Sequence, residues 1–487
     1  MVSVLLTVTT IHLTLLFKIT VYFRLTKLHG MRKTILILTF FLSAYDLYSQ
    51  HDSLLKTFKY RVNHYREINF NIGGGTDADK REFGAGEYKS NASSGNLGAS
   101  WYHIKSTDRI LLTITGNAGF AFSSGKTKDP VREIKSRNFF GSSQFSVLNK
   151  WFRKNLFTEI GADLFGHNNA NKYTPVNPTG SEKNKKNDYS IAIDLGIGKG
   201  RLENITDMQN ALWLYKTLQE EKKLSRSLSN AELDELGHTI TAGKNTRVLD
   251  FRKRTQFILG TTDHFFQQKG ILTANDIRYF TSLNDILFFT INSQRLSGSE
   301  IYIRLTPGLI NANRDNINNS LFTKQEDKIV SKSLLLSAGI NKYIPANLRH
   351  QNNYGASLRL NYISYHEADK FFIAGSPASQ FDFNTTLKQA GINLFFEHAI
   401  YPNTRTIISF DLQSEAGYMD AGQPSGLFGT ANLAGSLNYF ISYKTRLMCN
   451  LGAALQTKVY RYNDYQQLEL MPDFIQIYAN AGLLVTL

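Results

Sequence analysis

From residue 66 onward the chain alternates. In 406–415, Ile408, Phe410 and Leu412 alternate with Ser409, Asp411 and Gln413. In 354–362, Tyr354, Ala356, Leu358 and Leu360 alternate with Gly355, Ser357, Arg359 and Asn361. In 189–197, Tyr189, Ile191, Ile193, Leu195 and Ile197 are interleaved with Ser190, Asp194 and Gly196. Successive strand side chains point to opposite faces, so each run makes one apolar face and one polar or small face. The runs are about 10–15 residues long, as a tilted strand needs to cross a bilayer, whereas soluble strands average about five or six. They lie near 67–76, 95–106, 108–122, 137–149, 154–168, 187–199, 299–309, 331–343, 352–366, 385–400, 404–416, 428–443, 445–459 and 473–487. An even number, about 14, suits a closed antiparallel barrel with no edge left unpaired in lipid.

The connections alternate in length. Those after segments 2, 4, 8, 10 and 12 are tight: Thr107, 150–153, the stretch around Pro345, 401–403 and Lys444. Those after the odd segments are long and polar, such as 168–186 and 311–329. Short turns on the periplasmic side and long loops outside are the layout of outer-membrane barrels. Aromatic residues near the two ends, Trp151, Phe152, Tyr343, Tyr401 and Tyr443 at one and Tyr365, Tyr460 and Tyr462 at the other, fit rings at the bilayer interfaces.

Between segments 6 and 7 the period changes to that of a helix. Thr206 with Gln209, and Ser229 with Glu232, have capping-box spacing. Met208, Ala211, Leu212, Tyr215 and Leu218 form an apolar stripe, as do Leu233, Leu236 and Ile240. Two more helices are predicted, one from Val248 through Phe265 and one after Thr273 with Ile277, Phe280, Leu283 and Leu287 on one face. The stripes predict four helices packed on one another, with the barrel rim as a further partner. Counting crossings puts the insert, 201–295, on the periplasmic side, either as a subdomain or as a plug.

Composition narrows the class. The single cysteine, Cys449, rules out a disulfide scaffold or a cysteine-based zinc cluster, and its parity with Leu447 and Leu451 predicts a lipid-facing thiol. A mean hydropathy of −0.27 argues against helical membrane spans but not against alternating strands. Much of the net charge of +15 lies in predicted external loops, at Lys126, Lys128, Arg132, Lys135 and Arg137 and at Lys172, Lys183, Lys185 and Lys186. Such a rim suits the phosphates of outer-membrane lipid and lipopolysaccharide. The basic clusters lack the groove with interleaved aromatics that nucleic-acid binding needs.

At the N-terminus, Arg32 and Lys33 precede the apolar run from Ile35 to Leu42, with Ser49 before Gln50. This is the layout of a signal peptide over 31–49, with a mature start near Gln50. Residues 1–30 read as a mis-annotated upstream segment, the alternative being a membrane anchor over the apolar run from Val4 to Phe23, which His12 and Lys18 interrupt. The domain plan is therefore 50–200 for barrel strands 1–6, 201–295 for the insert and 296–487 for strands 7–14.

The last eight residues are Asn480-Ala481-Gly482-Leu483-Leu484-Val485-Thr486-Leu487. They resemble the C-terminal β-signal of Gram-negative outer-membrane proteins, with Asn480, Gly482, Val485 and Leu487 in its positions and Leu487 in place of the common terminal Phe. The resemblance implies recognition by the outer-membrane assembly machinery. More broadly, 67–487 resembles porin-like outer-membrane β-barrels in architecture.

Candidate chemistry is sparse. Gly196, Gly198 and Gly200 follow a strand and precede a helix, but Arg201 occupies the third glycine position of a dinucleotide fingerprint, so the glycines predict an easy exit from the barrel instead. The eleven His show no His-x-x-x-His metal pattern, and no cofactor or metal is predicted. His167, His366 and His398 lie near strand ends, and Glu397 adjoins His398, but neighbours in a strand face opposite ways. The polar parity predicts a lumen lined by Glu159, Asp163, Asp194, Arg304, Arg359, Glu397, Asp411, Glu415 and Lys458. Both signs occur, which fits either a transverse field or mutual salt bridging. The expected function is a pore or uptake channel for small solutes rather than an enzyme. The alternatives are a non-conducting barrel that anchors a periplasmic partner through the insert, and an outer-membrane hydrolase.

Overall fold

The computed structural model describes residues 53–83, 86–128, 133–175, 181–246, 248, 250–289, 294–319, 321–420, 425–442, 445–457, 459–462, 468–471 and 474–485. The expected leader and signal peptide, Tyr443, Lys458 and Leu487 lie outside them. A short helix, α1 (Leu54–Thr57), precedes strands β1 (Val62–Phe83), β2 (Gly86–Ser106), β3 (Ile110–Lys128), β4 (Glu133–Arg153), β5 (Leu156–Pro175) and β6 (Glu182–Asn204). Helices α2 (Thr206–Glu220), α3 (Asn230–Asn245), α4 (Phe251–Gln268) and α5 (Ile277–Phe289) follow. Strands β7 (Leu296–Asn318), β8 (Thr323–Pro345), β9 (His350–Ile373), β10 (Ser376–Asn403), β11 (Thr406–Asp420), β12 (Ser425–Ser442) and β13 (Thr445–Thr457) come next. The chain ends with a hairpin, β14 (Val459–Tyr462) and β15 (Leu468–Met471), and the strand β16 (Phe474–Val485).

β1 to β13 and β16 pair in chain order, every ladder antiparallel, into one 14-stranded sheet. The predicted strand number and the position of the helical insert are both found. Register keeps one face apolar across every ladder. One row reads Leu195, Leu305, Leu336, Leu360, Ala390, Tyr418, Leu427 from β6 to β12.

The polar face is concave. Arg201 at the end of β6 donates to the Thr107 carbonyl at 2.7 Å and to Ser106 Oγ at 3.0 Å. In a flat sheet β2 and β6 would be about 19 Å apart, four spacings of about 4.8 Å. Arg61, just before β1, reaches Glu203 of β6 at 2.9 Å. Curling alone brings these groups together.

Three expectations are corrected. First, among the described residues no ladder joins β1 to β16, so the expected closed barrel is here a curled sheet with two edges. β16 spans 12 residues and β1 spans 22. The outward apolar side chains on these edges lack one neighbour, and Ile72 (84% exposed) and Ile477 (76%) stand more open than Ile193 (40%) in the interior. Second, the long loops are mostly strand. β5 and β6 stay paired to Tyr173↔Glu182, and β7 and β8 to Asn318↔Thr323. Polar residues on both faces hid these extensions, while backbone groups still satisfy one another by pairing. Third, the aromatic residues do not all mark interfaces. Trp151 is outward and exposed, but Tyr365 and Tyr401 are buried; both lie on the concave face by register.

The helices bury their stripes on one another: Met208, Leu212 and Leu218 of α2, Leu233, Leu236 and Ile240 of α3, Phe265 and Phe266 of α4, and Leu283 and Leu287 of α5 share one core with Leu55 and Phe58. Gly237 sits mid-helix in α3 because a Cβ there would stand 3.0 Å from the Phe58 ring and 3.2 Å from Met208 Sδ. Ser229 and Glu232 form the predicted capping box. Thr206 does not cap α2. Its N–H donates to Asn204 Oδ1 at 3.0 Å, and its hydroxyl oxygen accepts from the Arg295 N–H at 3.0 Å, which closes the neck of the insert.

Candidate functional site

Two sets of polar contacts organise the concave face. The first is an ion cluster on β4, β5, β7 and β8. Lys150 Nζ lies 3.1 Å from Glu159 and 2.9 Å from Glu300. Arg304 Nε reaches Glu159 Oε1 at 2.7 Å. Asn341 donates to the other oxygen of Glu300 at 3.2 Å, and the Lys150 ammonium lies 4.6 Å over the Phe157 ring. Arg304 crosses above Gly196 of β6, its direct cross-strand partner, to reach β5. The Glu159 side chain is 1% exposed and that of Lys150 9%, so these charges meet one another rather than bulk water.

The second set joins the insert to the sheet. Arg295 is fully buried. It donates to the carbonyls of Leu348 at 2.9 Å and His350 at 2.8 Å, to that of Asn347, and to Gln351 Oε1 at 2.7 Å. Its guanidinium stacks 4.9 Å from the Tyr401 ring centroid. Gln351 donates to Asn353 at 2.8 Å, and Asn353 donates to Glu397 at 2.6 Å. A continuous relay thus runs from the neck of the insert to the concave wall. Around the same rim Arg405 pairs with Asp285 of α5, Arg254 of α4 donates to Tyr65 of β1 at 3.3 Å, and Tyr60 donates to Asn245 at 3.4 Å. Burial, with Asp207 nearby, pushes the Tyr60 phenol above its ordinary value. These contacts come from β1 and from the turns after β8 and β10, so the insert bridges well-separated parts of the short-turn end.

By register Glu159, Asp163, Asp194, Arg304, Arg359, Glu397, Asp411 and Glu415 share the concave face. Glu159 and Arg304 come together, Asp194 accepts from Thr306, and Asp411 accepts from Ser409 at 3.1 Å. Glu397 lies directly opposite Asp411. Sequence reasoning missed Lys150, Glu300, Arg295 and Asn353. Lys150 is a strand residue because the turn lies at Lys154 and Asn155, not at the expected 150–153, and this pairs Lys150 with Glu159.

The glycines near the neck are explained sterically. A Cβ at Gly198 would meet the Phe157 ring at 2.4 Å, and Gly200 has φ +100° against the Ser299 carbonyl. Among the described histidines, His366 meets Asn384 and His398 meets Asn352, each at 2.7 Å. Cys449 lies opposite Leu437 and Ala481 on the outward face. Asn450 donates to Asn480 at 2.9 Å across the last ladder. Gly482 opposes Met448, and Val485 ends the strand opposite Thr445.

No family model and no curated protein matches this chain. Among solved structures it is similar to the transport unit of the autotransporter AIDA-I from Escherichia coli, at 11% identity over 82% of this chain and 93% of that one, with a TM-score of 0.27. It is also similar to the translocator domain of the autotransporter NalP from Neisseria meningitidis, at 9% identity over 90% and 94% and a TM-score of 0.23. The toluene transporter TbuX from Ralstonia pickettii aligns at 10% identity over 83% and 89%, with a TM-score of 0.26. Scores this low carry no argument, and the functional reading rests on the strands themselves.

Proposed function

We propose that the chain is an outer-membrane protein of the β-barrel type that passes small solutes, with the helical insert seated on its periplasmic mouth. The observation that carries this reading is the unbroken outward apolar belt. Tyr189, Ile191, Ile193, Leu195 and Ile197 on β6, Ile301, Ile303, Leu305 and Leu309 on β7, and Leu358, Leu360 and Tyr362 on β9 are all exposed. On β6 the belt is about nine residues tall, the height of a tilted strand in hydrocarbon. A soluble protein rarely leaves so much contiguous apolar surface open.

Above the belt, on the same outward face, Arg137, Lys172 and Lys183 lie side by side on β4, β5 and β6. Like charges in direct cross-strand register destabilise a sheet, and the phosphates of outer-leaflet lipopolysaccharide would relieve them. Export through 31–49 and assembly through Asn480, Gly482, Val485 and Leu487 belong to the same reading.

The test is planar-bilayer conductance of the purified chain, with and without 201–295. Conductance that rises on deletion is expected, and silence in both forms would overturn the pore. The clamp at Arg295 favours a second reading, in which a non-conducting barrel presents the insert to a periplasmic partner. Silence in both forms, with assembly retained, selects that one.

A further inference from the structure

The concave face is chemically two-sided. We propose that three rows of its β1–β5 arc, above Glu67 and Asp163, form a subsite for neutral, hydroxyl-rich solutes, with saccharides as the class. This rests on the reading of the concave face as a solute path.

One register row runs Asn69, Ser100, Asn117, Gln144, Phe165 from β1 to β5, about 19 Å along the wall. Asn69, Asn117 and Gln144 are exposed on it. The rows above, Asn71 to His167 and Gly73 to Asn169, follow the same registers. In a chain that is 20% charged, none of these three rows carries an Asp, Glu, Lys or Arg. The charges elsewhere on the concave face, including Lys150 and Glu159 near the short-turn ends of β4 and β5, are largely engaged with one another or with amides and hydroxyls: Lys150 with Glu159 and Glu300, Arg304 with Glu159, Asp194 with Thr306, and Glu397 with Asn353.

An amide both donates and accepts, which matches a hydroxyl better than it matches an ion. Two of the amides are seated by glycine. Asn71 Oδ1 lies 2.1 Å from where a Cβ on Gly98 would be, and Asn96 Oδ1 lies 2.3 Å from where one on Gly73 would be. A side chain at either glycine would displace the amide. At the end of the rows stand Phe140 (40% exposed) and Phe165 (43%). His167 sits between them, edge-on to Phe140 with centroids 4.8 Å apart and stacked on Phe165 at 6.4 Å. Open ring faces beside rows of amides suit a pyranose, which presents C–H groups on its faces and hydroxyls around its edge. An anionic solute would find no countercharge in these rows, and the carboxylates one row below are Glu67, which accepts from Asn69 at 3.0 Å, and Asp163.

The test is calorimetric titration of the folded full-length protein with maltohexaose, alongside block of its single-channel current by the same sugar. Saturable binding is expected, weaker by about five-fold for each of Asn117→Leu and Gln144→Leu, and weaker by a similar factor for Phe165→Ala. If leucine prevents folding, Asn117→Ser with Gln144→Ser removes the amides from a wall that stays polar, and the same loss is expected. Ion conductance without maltohexaose binding would overturn the substrate class and leave the channel standing. Binding without conductance would support the subsite and overturn the channel. Binding unchanged in all the variants would overturn the subsite.

Discussion

A Cβ at Gly196 would stand 3.4 Å from both Cβ and Oε1 of Glu159, in the gap Arg304 crosses to reach that carboxylate. Gly196→Val therefore separates the pair, and the folded form should lose heat resistance, read as the temperature at which its gel migration changes. Lys150→Met goes further. It leaves Glu159 and Glu300 buried without their shared cation, at a cost of about 3–5 kcal/mol, and adding Glu159→Gln and Glu300→Gln should recover most of it. On the insert, Arg226 and the Ser229 cap hold the Glu232 carboxyl at about 2 against an ordinary 4.5. A lowered carboxylate pKa stabilises the fold above the ordinary value, and that contribution fades as pH falls through the folded one. Hydrogen-exchange protection of the first turn of α3 should fall on acidification from pH about 5 to about 2.5, and Glu232→Gln should show a smaller fall. The Ser229–Glu232 box was legible because it is local. Lys150–Glu300 was not, because it joins residues 150 apart through the curvature of the sheet.

At the scale of elements, alternation located the strands but not their ends. The apolar face stops at the top of the belt, while the hairpins continue, as Lys172↔Lys183 on β5 and β6 shows. Thr206 reads as a cap, yet its hydroxyl serves Arg295, 89 residues away, a partner no local pattern announces. The helices themselves followed from their stripes. Leu236 is wholly buried in that shared core, so Leu236→Ala should cost the insert about 2–5 kcal/mol. Arg295→Ala should act differently. It leaves the helical core intact and frees the neck, so limited proteolysis should release an insert that keeps its helicity, whereas Leu236→Ala should reduce both helicity and protease resistance.

For the whole molecule, fourteen strands in chain order were legible because each segment repeats one rule. The concavity was legible only as a guess about closure, since side-chain parity is the same in a flat sheet and in a curled one. The aromatic residues misled for the same reason: Tyr401 stands near the end of β10 and Tyr365 near the end of the expected segment 352–366, as interface residues do, but parity turns them inward. The neutral rows were not legible because Asn, Ser and Gly spell out no motif along the chain and line up only through the register of β1 to β5. In the proposed function one face of this sheet meets lipid and the other meets water. Spin labels placed one at a time over 189–197, in a Cys449→Ser background and in lipid vesicles, test it most directly. A period of two is expected, with labels at Tyr189, Ile191, Ile193, Leu195 and Ile197 relaxed by oxygen and those at Ser190, Ala192 and Asp194 relaxed by a water-soluble nickel complex. Equal access of the nickel complex to both parities would contradict it.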